Sequence, residues 1–209
     1  MKLKKLESYL QDLESFDNPK IKLEQYETPA HIAAYMLYTA ETSFGDLKDK
    51  FIADLGCGCG MLSVGAALLG ASRVVGFELD GDAIDNFQEN ICDTDLENVD
   101  IIQADVLTLK DSWNGKFDTV LLNPPFGTKR NQGMDVNFLR AALDLSSNCV
   151  LSLHKTSTRN FILNKAKEWN VDCKVIAALK YNIPNTYKFH KKVSVDIEVD
   201  FIRFMHKKR

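Results

Sequence analysis

Short strand-forming segments that alternate with helical segments constrain the fold of this chain more than any other feature. The sequence predicts strands at Phe51–Leu55, Arg73–Phe77, Val99–Gln103, Phe117–Leu122 and Cys149–Leu153. It predicts helices at Met61–Leu69, Asp82–Cys92, Asn137–Ser146 and Ser157–Trp169. Strands that are joined by helices form a parallel sheet covered on both faces. The alternation therefore predicts an α/β fold with a doubly wound sheet.

The N-terminal region predicts two further helices. Leucines recur every three or four residues from position 3 to position 13, which is the spacing of one apolar helix face. We therefore expect a helical extension over residues 1–20 that packs on the rest of the protein. Thr28 can cap, and Pro29 can begin, a second helix that runs through His31–Thr42.

Two more strands are predicted at the C-terminal end, at Val171–Leu179 and Val193–Phe204. In the second of these, apolar and polar residues alternate, so that one face is buried and the other is polar. With 209 residues, of which 45% are hydrophobic and 26% charged, we expect one domain over residues 1–209.

A glycine-rich turn follows the first core strand and predicts a nucleoside site. Gly56–Gly60 allows a tight turn and close approach of a ligand. The third glycine of a dinucleotide-binding turn is missing, because Met61 stands in its place, so a nucleoside with an uncharged linker suits the turn better than a pyrophosphate. Glu78, 22 residues after Gly56, can accept both hydrogen bonds of a ribose diol, and Asp105 can accept from an adenine amino group.

The cysteines of the turn also permit a metal hypothesis. Cys57 and Cys59 have the spacing of a ligand pair, but no second Cys or His pair follows at ligand spacing. We therefore expect no metal. Five unevenly spaced cysteines also disfavour a disulfide framework and suit a reducing compartment.

The tetrapeptide after the fourth core strand predicts an amine site. It consists of Asn123, Pro124, Pro125 and Phe126. Two prolines end the strand and keep the backbone extended. An NH₂ group could then donate one hydrogen to the Asn123 side-chain oxygen and the other to the Pro124 carbonyl, while Phe126 lies against a planar ring.

Together the glycine turn and this tetrapeptide resemble the class I S-adenosylmethionine methyltransferases, in particular the branch that methylates amino or amide nitrogens. The closer resemblance is to the methyltransferase-like protein 5 family. The residues that carry it are Leu23, Glu24, Gln25, Tyr26, Thr28, Pro29, Asp54–Gly60, Asn123–Lys129 and Tyr187–Lys192. The resemblance implies a Rossmann-like seven-stranded sheet, mostly parallel with one antiparallel strand near the edge. It also implies methylation of adenine N6 in small-subunit (18S) ribosomal RNA.

The resemblance further implies a cofactor, its contacts and a protein partner. The cofactor is S-adenosylmethionine, and its contacts fall on Gln25, Thr28, Gly56, Cys59, Glu78, Asp105 and Val106. Family members favour Asp where this chain has Glu78, which reaches one methylene further. The partner is a small zinc-binding activator subunit that forms a heterodimer by adding a strand to an exposed sheet edge. Val99–Gln103, flanked by acidic residues, is the edge that we expect it to use.

The distribution of charge favours RNA as the substrate. Residues 78–118 contain 12 acidic and 2 basic side chains, whereas residues 119–209 contain 16 basic and 7 acidic ones. Cations interleaved with aromatic rings suit single-stranded nucleic acid, although a charge run is also compatible with a simple solvated surface. The expected RNA contacts are Lys129, Arg130, Lys188, Phe189, His190, Lys191 and Lys192.

Two other functions remain open at this point. A glutamine methyltransferase acting on a translation factor would use the same Asn-Pro-Pro sequence, although such enzymes usually carry Tyr where Phe126 stands. A non-catalytic RNA-binding scaffold would need neither the turn nor the amine site. No segment is long or apolar enough to span a bilayer, so we expect no membrane association and a soluble protein of the nucleus and cytoplasm.

Overall fold

The computed structural model describes residues 1–109, 111–127, 131–184 and 194–207. The helices are α1 (Leu3–Gln11), α2 (Ala30–Phe44), α3 (Met61–Leu68), α4 (Gly81–Thr94), α5 (Met134–Leu145) and α6 (Arg159–Glu168). The strands are β1 (Phe51–Leu55), β2 (Arg73–Glu78), β3 (Val99–Gln103), β4 (Phe117–Leu122), β5 (Ser146–Lys155), β6 (Val171–Pro184) and β7 (Ser194–His206). The predicted RNA contacts at Lys129, Arg130 and Lys188–Lys192 lie outside the described residues.

The seven strands form one mixed sheet in the order β3-β2-β1-β4-β5-β7-β6. Strands β1 to β5 are parallel to one another, whereas β7 is antiparallel to both β5 and β6. This arrangement confirms the predicted doubly wound α/β fold with one antiparallel strand near the edge. It also confirms that β3 is an edge strand, since β3 pairs with β2 alone.

Apolar side chains on both faces of the sheet explain why the central strands read as continuous apolar runs. Ile52 packs in one buried cluster with Leu121, and the next residue, Ala53, packs in a second cluster with Val120. Successive side chains of a strand point to opposite faces, so each face has its own core. The strand ends are thereby held in register, which places their loops at one edge of the sheet.

Helix α1 packs against α2 and α3, as its leucine spacing predicted. Leu6 and Leu10 are fully buried in the same cluster as Leu37 of α2. Gly65 of α3 permits this close packing, because a Cβ atom there would lie 2.4 Å from Leu37 Cδ1 and 3.4 Å from Leu10 Cδ1. None of the helices within the described ranges is long and apolar enough to cross a bilayer.

Several sequence-based predictions of local structure were wrong. The N-terminal helix ends at Gln11 and does not extend to residue 20, and β5 spans Ser146–Lys155 and not only Cys149–Leu153.

Two further predictions were wrong near the functional site. Thr28 makes no capping hydrogen bond to α2, whose N-cap is Pro29, because its hydroxyl accepts a hydrogen bond from Asn123 instead. Strand β6 ends at Pro184 and not at Leu179, because its pairing with β7 continues through Tyr181, which faces Ile197. Both corrections concern residues that contact the functional site.

Candidate active site

A cleft lies where the parallel strands β1, β2 and β4 end. It has a volume of about 210 Å³. The predicted site residues that line it are Gln25, Gly56, Glu78, Asp105, Val106, Asn123 and Pro125. A smaller cavity adjoins it and is lined by Thr28, Cys59 and Asp54. Together the two cavities contain all seven residues that the resemblance assigned to the cofactor.

The glycine turn adopts backbone conformations that suit a ligand cradle. Gly58 and Gly60 have φ angles of 54° and 94°, in the left-handed region that residues with a Cβ rarely adopt. A Cβ on Gly60 would lie 2.8 Å from the Phe87 ring, and a Cβ on Gly58 would lie 2.7 Å from the Phe16 ring. Glycine is therefore required at both positions for conformation and for space.

Glu78 supports the turn and forms part of the cleft wall. One carboxylate oxygen accepts a hydrogen bond from the Gly58 amide at 2.9 Å, and the other accepts from the Leu79 and Asp80 amides at 2.8 and 3.0 Å. A carboxylate has about four acceptor positions. Glu78 can therefore hold the turn in place and still accept from a ligand hydroxyl.

Gln25 and Asp105 line the cleft while also stabilising their own loops. The Gln25 side-chain oxygen accepts from the Lys20 amide at 2.6 Å, and its nitrogen donates to Asp80 at 2.7 Å. Asp105 Oδ1 accepts from the Leu107 amide at 2.9 Å. Both polar atoms of the Gln25 side chain are thus hydrogen-bonded within the protein. Gln25 would therefore contact a ligand mainly by packing, as part of the cleft wall.

The Asn123 side chain has a defined orientation. Its nitrogen donates to Thr28 Oγ1 at 2.8 Å and to the Tyr181 hydroxyl at 3.2 Å. The Tyr181 hydroxyl donates its hydrogen to the Glu27 carbonyl at 2.8 Å. Towards Asn123 it can therefore only accept a hydrogen bond. The amide nitrogen therefore faces these two hydroxyls, and Asn123 Oδ1, which is buried, has no hydrogen-bond partner.

Phe126 is packed beside this amide and is only 9% exposed. The edge of its ring meets the Tyr181 ring with a centroid distance of 5.7 Å. The Lys155 ammonium stands over the Phe126 ring, 5.8 Å from the centroid. One face of the Phe126 ring is thus covered by a lysine.

The ionisable groups behind the glycine turn are shifted towards their neutral forms. Burial raises the pKa of Asp54 to about 7, although the Ser63 hydroxyl donates to its carboxylate at 2.6 Å. Burial also raises the pKa of Cys59 to about 12 and that of Cys57 well above its ordinary value. Neutral thiols are poor metal ligands. Across the described ranges, no three His, Cys, Asp or Glu side chains are grouped as a metal site.

Sequence reasoning missed two residues of the site. Tyr181 orients Asn123, and the signal was the apolar alternation from Leu179 to Tyr181, which extends β6. Phe16 lies over Gly58 and lines both cavities, but it occurs in a segment without periodicity. No local pattern in the sequence points to Phe16.

The sheet, the glycine turn and the oriented Asn123 define a class I S-adenosylmethionine-dependent methyltransferase. A family model, Methyltransferase small domain, matches residues 34–156. The chain is 56% identical to rRNA N(6)-adenosine-methyltransferase METTL5 of Danio rerio over 204 residues, covering 98% of this chain and 99% of that protein. Identity to rRNA N(6)-adenosine-methyltransferase Mettl5 of Drosophila melanogaster is 57% over 205 residues, covering 98% and 96%. The chain therefore belongs to the METTL5 family.

A solved structure shares this fold over almost the whole chain. It is the crystal structure of a suggested RNA methyltransferase from Pyrococcus horikoshii, which is 36% identical. The TM-score is 0.88, and the alignment covers 99% of this chain and 98% of that one. The likeness extends beyond the family-model match to α1 and to the antiparallel strands.

Proposed function

We propose that this protein methylates adenine N6 in small-subunit (18S) ribosomal RNA, with S-adenosylmethionine as the methyl donor. The observation that carries the proposal is the unpartnered, buried Asn123 Oδ1 at the junction of the two cavities. An unsatisfied buried acceptor costs about 1–3 kcal/mol. A hydrogen-bond donor of the substrate recovers that cost, so the site suits a nitrogen that carries hydrogens.

The cleft residues fit the proposed donor. Gly56 and Gly58 line the cleft with backbone alone, Glu78 can accept from a ribose, and Asp105 can accept from an adenine amino group. When bound, S-adenosylmethionine supplies a methyl group attached to a positively charged sulfur. Asp105 lines the main cleft and Asp54 lines the smaller cavity that adjoins it. The residues of the main cleft therefore suit the nucleoside part of the donor, and the adjoining cavity leaves space for the rest.

The proposed role of Asn123 and Pro124 is to activate the amine by orienting it. The adenine amino nitrogen is a weak nucleophile because its lone pair is delocalised into the ring. Hydrogen bonds from its two hydrogens to Asn123 Oδ1 and the Pro124 carbonyl favour a pyramidal nitrogen whose lone pair points into the donor cavity. Orientation of this kind accounts for most of the expected acceleration, and no strong general base is needed.

The proposed role of Phe126 is to hold the target base by stacking, which is worth about 1–3 kcal/mol. The Lys155 ammonium now lies over that ring. We propose that the base stacks on the ring face that the ammonium leaves free. The Lys155 ammonium is then available to contact a phosphate of the same nucleotide.

Ribosomal RNA as the substrate is supported by the names of the two relatives and by the basic composition of residues 119–209. The aromatic and basic side chains of Lys188–Lys192 suit an unstacked RNA segment. We propose that these residues, with Lys129 and Arg130, contact the RNA backbone. The choice of the small-subunit RNA goes beyond what these names state and is part of our proposal.

We also propose a heterodimer with a small zinc-binding activator subunit. The supporting observation is that β3 pairs with β2 only and leaves its other side open to strand addition. Co-purification of the two chains, together with slower amide exchange at residues 99–103, is the expected result. Unchanged exchange in that strand would contradict this docking mode.

Nucleoside mass spectrometry of ribosomal RNA from cells with and without the protein tests the substrate. We expect loss of N6-methyladenosine from the small-subunit RNA alone. Complementation with Asn123→Ala should leave the modification absent, whereas the variant should bind S-adenosylhomocysteine normally. Methylation by Asn123→Ala at the parental rate would contradict the role of this residue.

Transfer of a radiolabelled methyl group separates the alternatives. Label in RNA supports the proposal, whereas label in a translation factor supports a glutamine methyltransferase. Equilibrium binding of S-adenosylmethionine separates an enzyme from a non-catalytic scaffold, and RNA binding without affinity for S-adenosylmethionine would support the scaffold.

A further inference from the structure

We infer that Phe16 is a cofactor-contacting residue and that Asn90 is a positioning residue which holds Phe16 over the glycine turn. Phe16 lies in residues 12–20, an irregular segment between α1 and a short 3₁₀ turn, which we call the N-terminal strap. The inference rests on the proposed seat of the methyl donor in the cleft. It assigns to the donor site two residues, Phe16 and Asn90, that lie far along the chain from the glycine turn.

The position of the Phe16 ring carries the first step. It lies directly over Gly58, where a Cβ would come within 2.7 Å of its Cζ atom. The ring also lines both the main cleft and the smaller cavity, which among the described residues otherwise share Tyr26, Gly56, Gly58 and Asn123. A ligand that extends from one cavity to the other along the glycine turn therefore passes beside the Phe16 ring and contacts it.

The hydrogen bonds of Asn90 carry the second step. This side chain of α4 is 2% exposed. Its oxygen accepts from the Glu14 amide at 2.8 Å, and its nitrogen donates to the Glu14 carbonyl at 2.9 Å and to the Cys59 carbonyl at 2.8 Å. One buried side chain thus links the strap to the glycine turn.

The strap depends on such side-chain bonds because it has no backbone ladder of its own. Asn86, one helical turn before Asn90, donates to the Ser15 carbonyl at 2.8 Å. At the far end of the strap, the Lys20 ammonium pairs with Asp80 and with Asp82. The strap is thus anchored at Glu14 and Ser15 on one side of Phe16 and at Lys20 on the other. Loss of the Asn90 amide should therefore loosen Phe16 and the turn together.

Binding of S-adenosylhomocysteine, measured by titration calorimetry, tests the inference. Phe16→Ala and Asn90→Ala should each weaken binding about ten-fold, the equivalent of ~1.4 kcal/mol. Phe16→Leu, which keeps an apolar wall, should recover part of the loss. Gln88→Ala, on the exposed face of the same helix, is the matched control and should bind like the wild type.

Hydrogen exchange provides a readout that is independent of turnover. In the wild type, S-adenosylhomocysteine should slow amide exchange across residues 12–20, and Asn90→Ala should lose this protection. In steady-state kinetics, KM for the donor should rise about ten-fold while kcat and the KM for RNA stay within about two-fold, since the amine site is untouched.

Affinity within about two-fold of the wild type for both Phe16→Ala and Asn90→Ala would overturn the inference. Phe16 is half-buried, so its variant tests the inference even where Asn90→Ala unfolds. Failure of the proposed donor site is distinguishable, because the wild-type protein itself would then not bind S-adenosylhomocysteine. Failure of the proposed RNA substrate alone would leave the wild-type affinity and the effects of both variants unchanged.

Discussion

At the scale of single residues, the orientation of Asn123 matters as much as its presence. An Asn amide can turn its oxygen or its nitrogen towards a substrate, and only the oxygen accepts from an amine. Here Thr28 and Tyr181 both face the amide nitrogen, which leaves Oδ1 towards the cavities. Burial raises the pKa of Tyr181, so its hydroxyl keeps the hydrogen that it donates to Glu27.

Tyr181→Phe should therefore impair catalysis without impairing donor binding. The variant removes one of two acceptors of the Asn123 nitrogen, and a hydrogen bond of this kind is worth about 0.5–1.5 kcal/mol. We expect kcat to fall about ten-fold, because the amide no longer has one preferred orientation. The measurement is steady-state methylation at saturating RNA and donor.

Tyr35→Phe is the matched control, because Tyr35 is 37% exposed on α2. It should leave kcat unchanged. A Tyr181→Phe protein with the parental kcat, or with a donor KM raised as much as kcat is lowered, would show that Tyr181 does not act through Asn123.

At the scale of secondary-structure elements, α1 connects stability to the site. Its buried face packs on α2 and α3, and its C-terminal end leads into the N-terminal strap. α3 begins directly after the glycine turn, and α1 packs on α3 where Leu10 contacts Gly65. α1 therefore supports the turn through α3. Helix α1, which lies outside the sheet, thereby positions both the glycine turn and the N-terminal strap that line the donor cavity.

Leu10→Ala should destabilise the protein substantially. Leu10 is fully buried, and truncation of such a leucine costs about 2–5 kcal/mol. Urea unfolding of the variant should show this loss in the free energy of unfolding, and Tyr9→Ala, at a 41% exposed position, should show far less. Equal losses for both variants would mean that α1 is not packed as described.

At the scale of the whole molecule, the pKa of Asp54 makes stability depend on pH. Its ordinary pKa is 3.8, and burial raises it to about 7 in the folded protein. Between these values the unfolded chain has released the proton and the folded protein has kept it. The free energy of unfolding should therefore decrease as pH rises through this window, by up to about 1.4 kcal/mol per pH unit, and level off above it.

Comparison of the wild type with Asp54→Asn isolates this contribution. The difference between their free energies of unfolding should change between about pH 4 and about pH 7 and stay constant above that range. Asp12→Asn, at an exposed position after α1, should run parallel to the wild type. Parallel curves for all three proteins would show that Asp54 titrates normally.

The local elements of the fold were predictable because their causes are local. Apolar runs marked β1, β3 and β4, and the glycines marked the turn before α3, since backbone conformation follows from nearby residue types. The predicted strand at Val99–Gln103 agrees with β3 at both ends. The end of β6 could not be placed in this way, because pairing with β7 extends the strand through Tyr181.

The α/β class and the glycine turn follow from local patterns in the chain, which also contain the residue types that a nucleoside and an amine require. The directions in which these groups face follow from contacts made on folding. Asn123 is oriented by Thr28 and Tyr181, which are 95 and 58 residues away along the chain, and Phe16 reaches Gly58 through bonds made by Asn90. The physical reason is that hydrogen bonds and steric contacts depend on distances in space, and distant parts of a chain come within those distances only when the sheet is assembled.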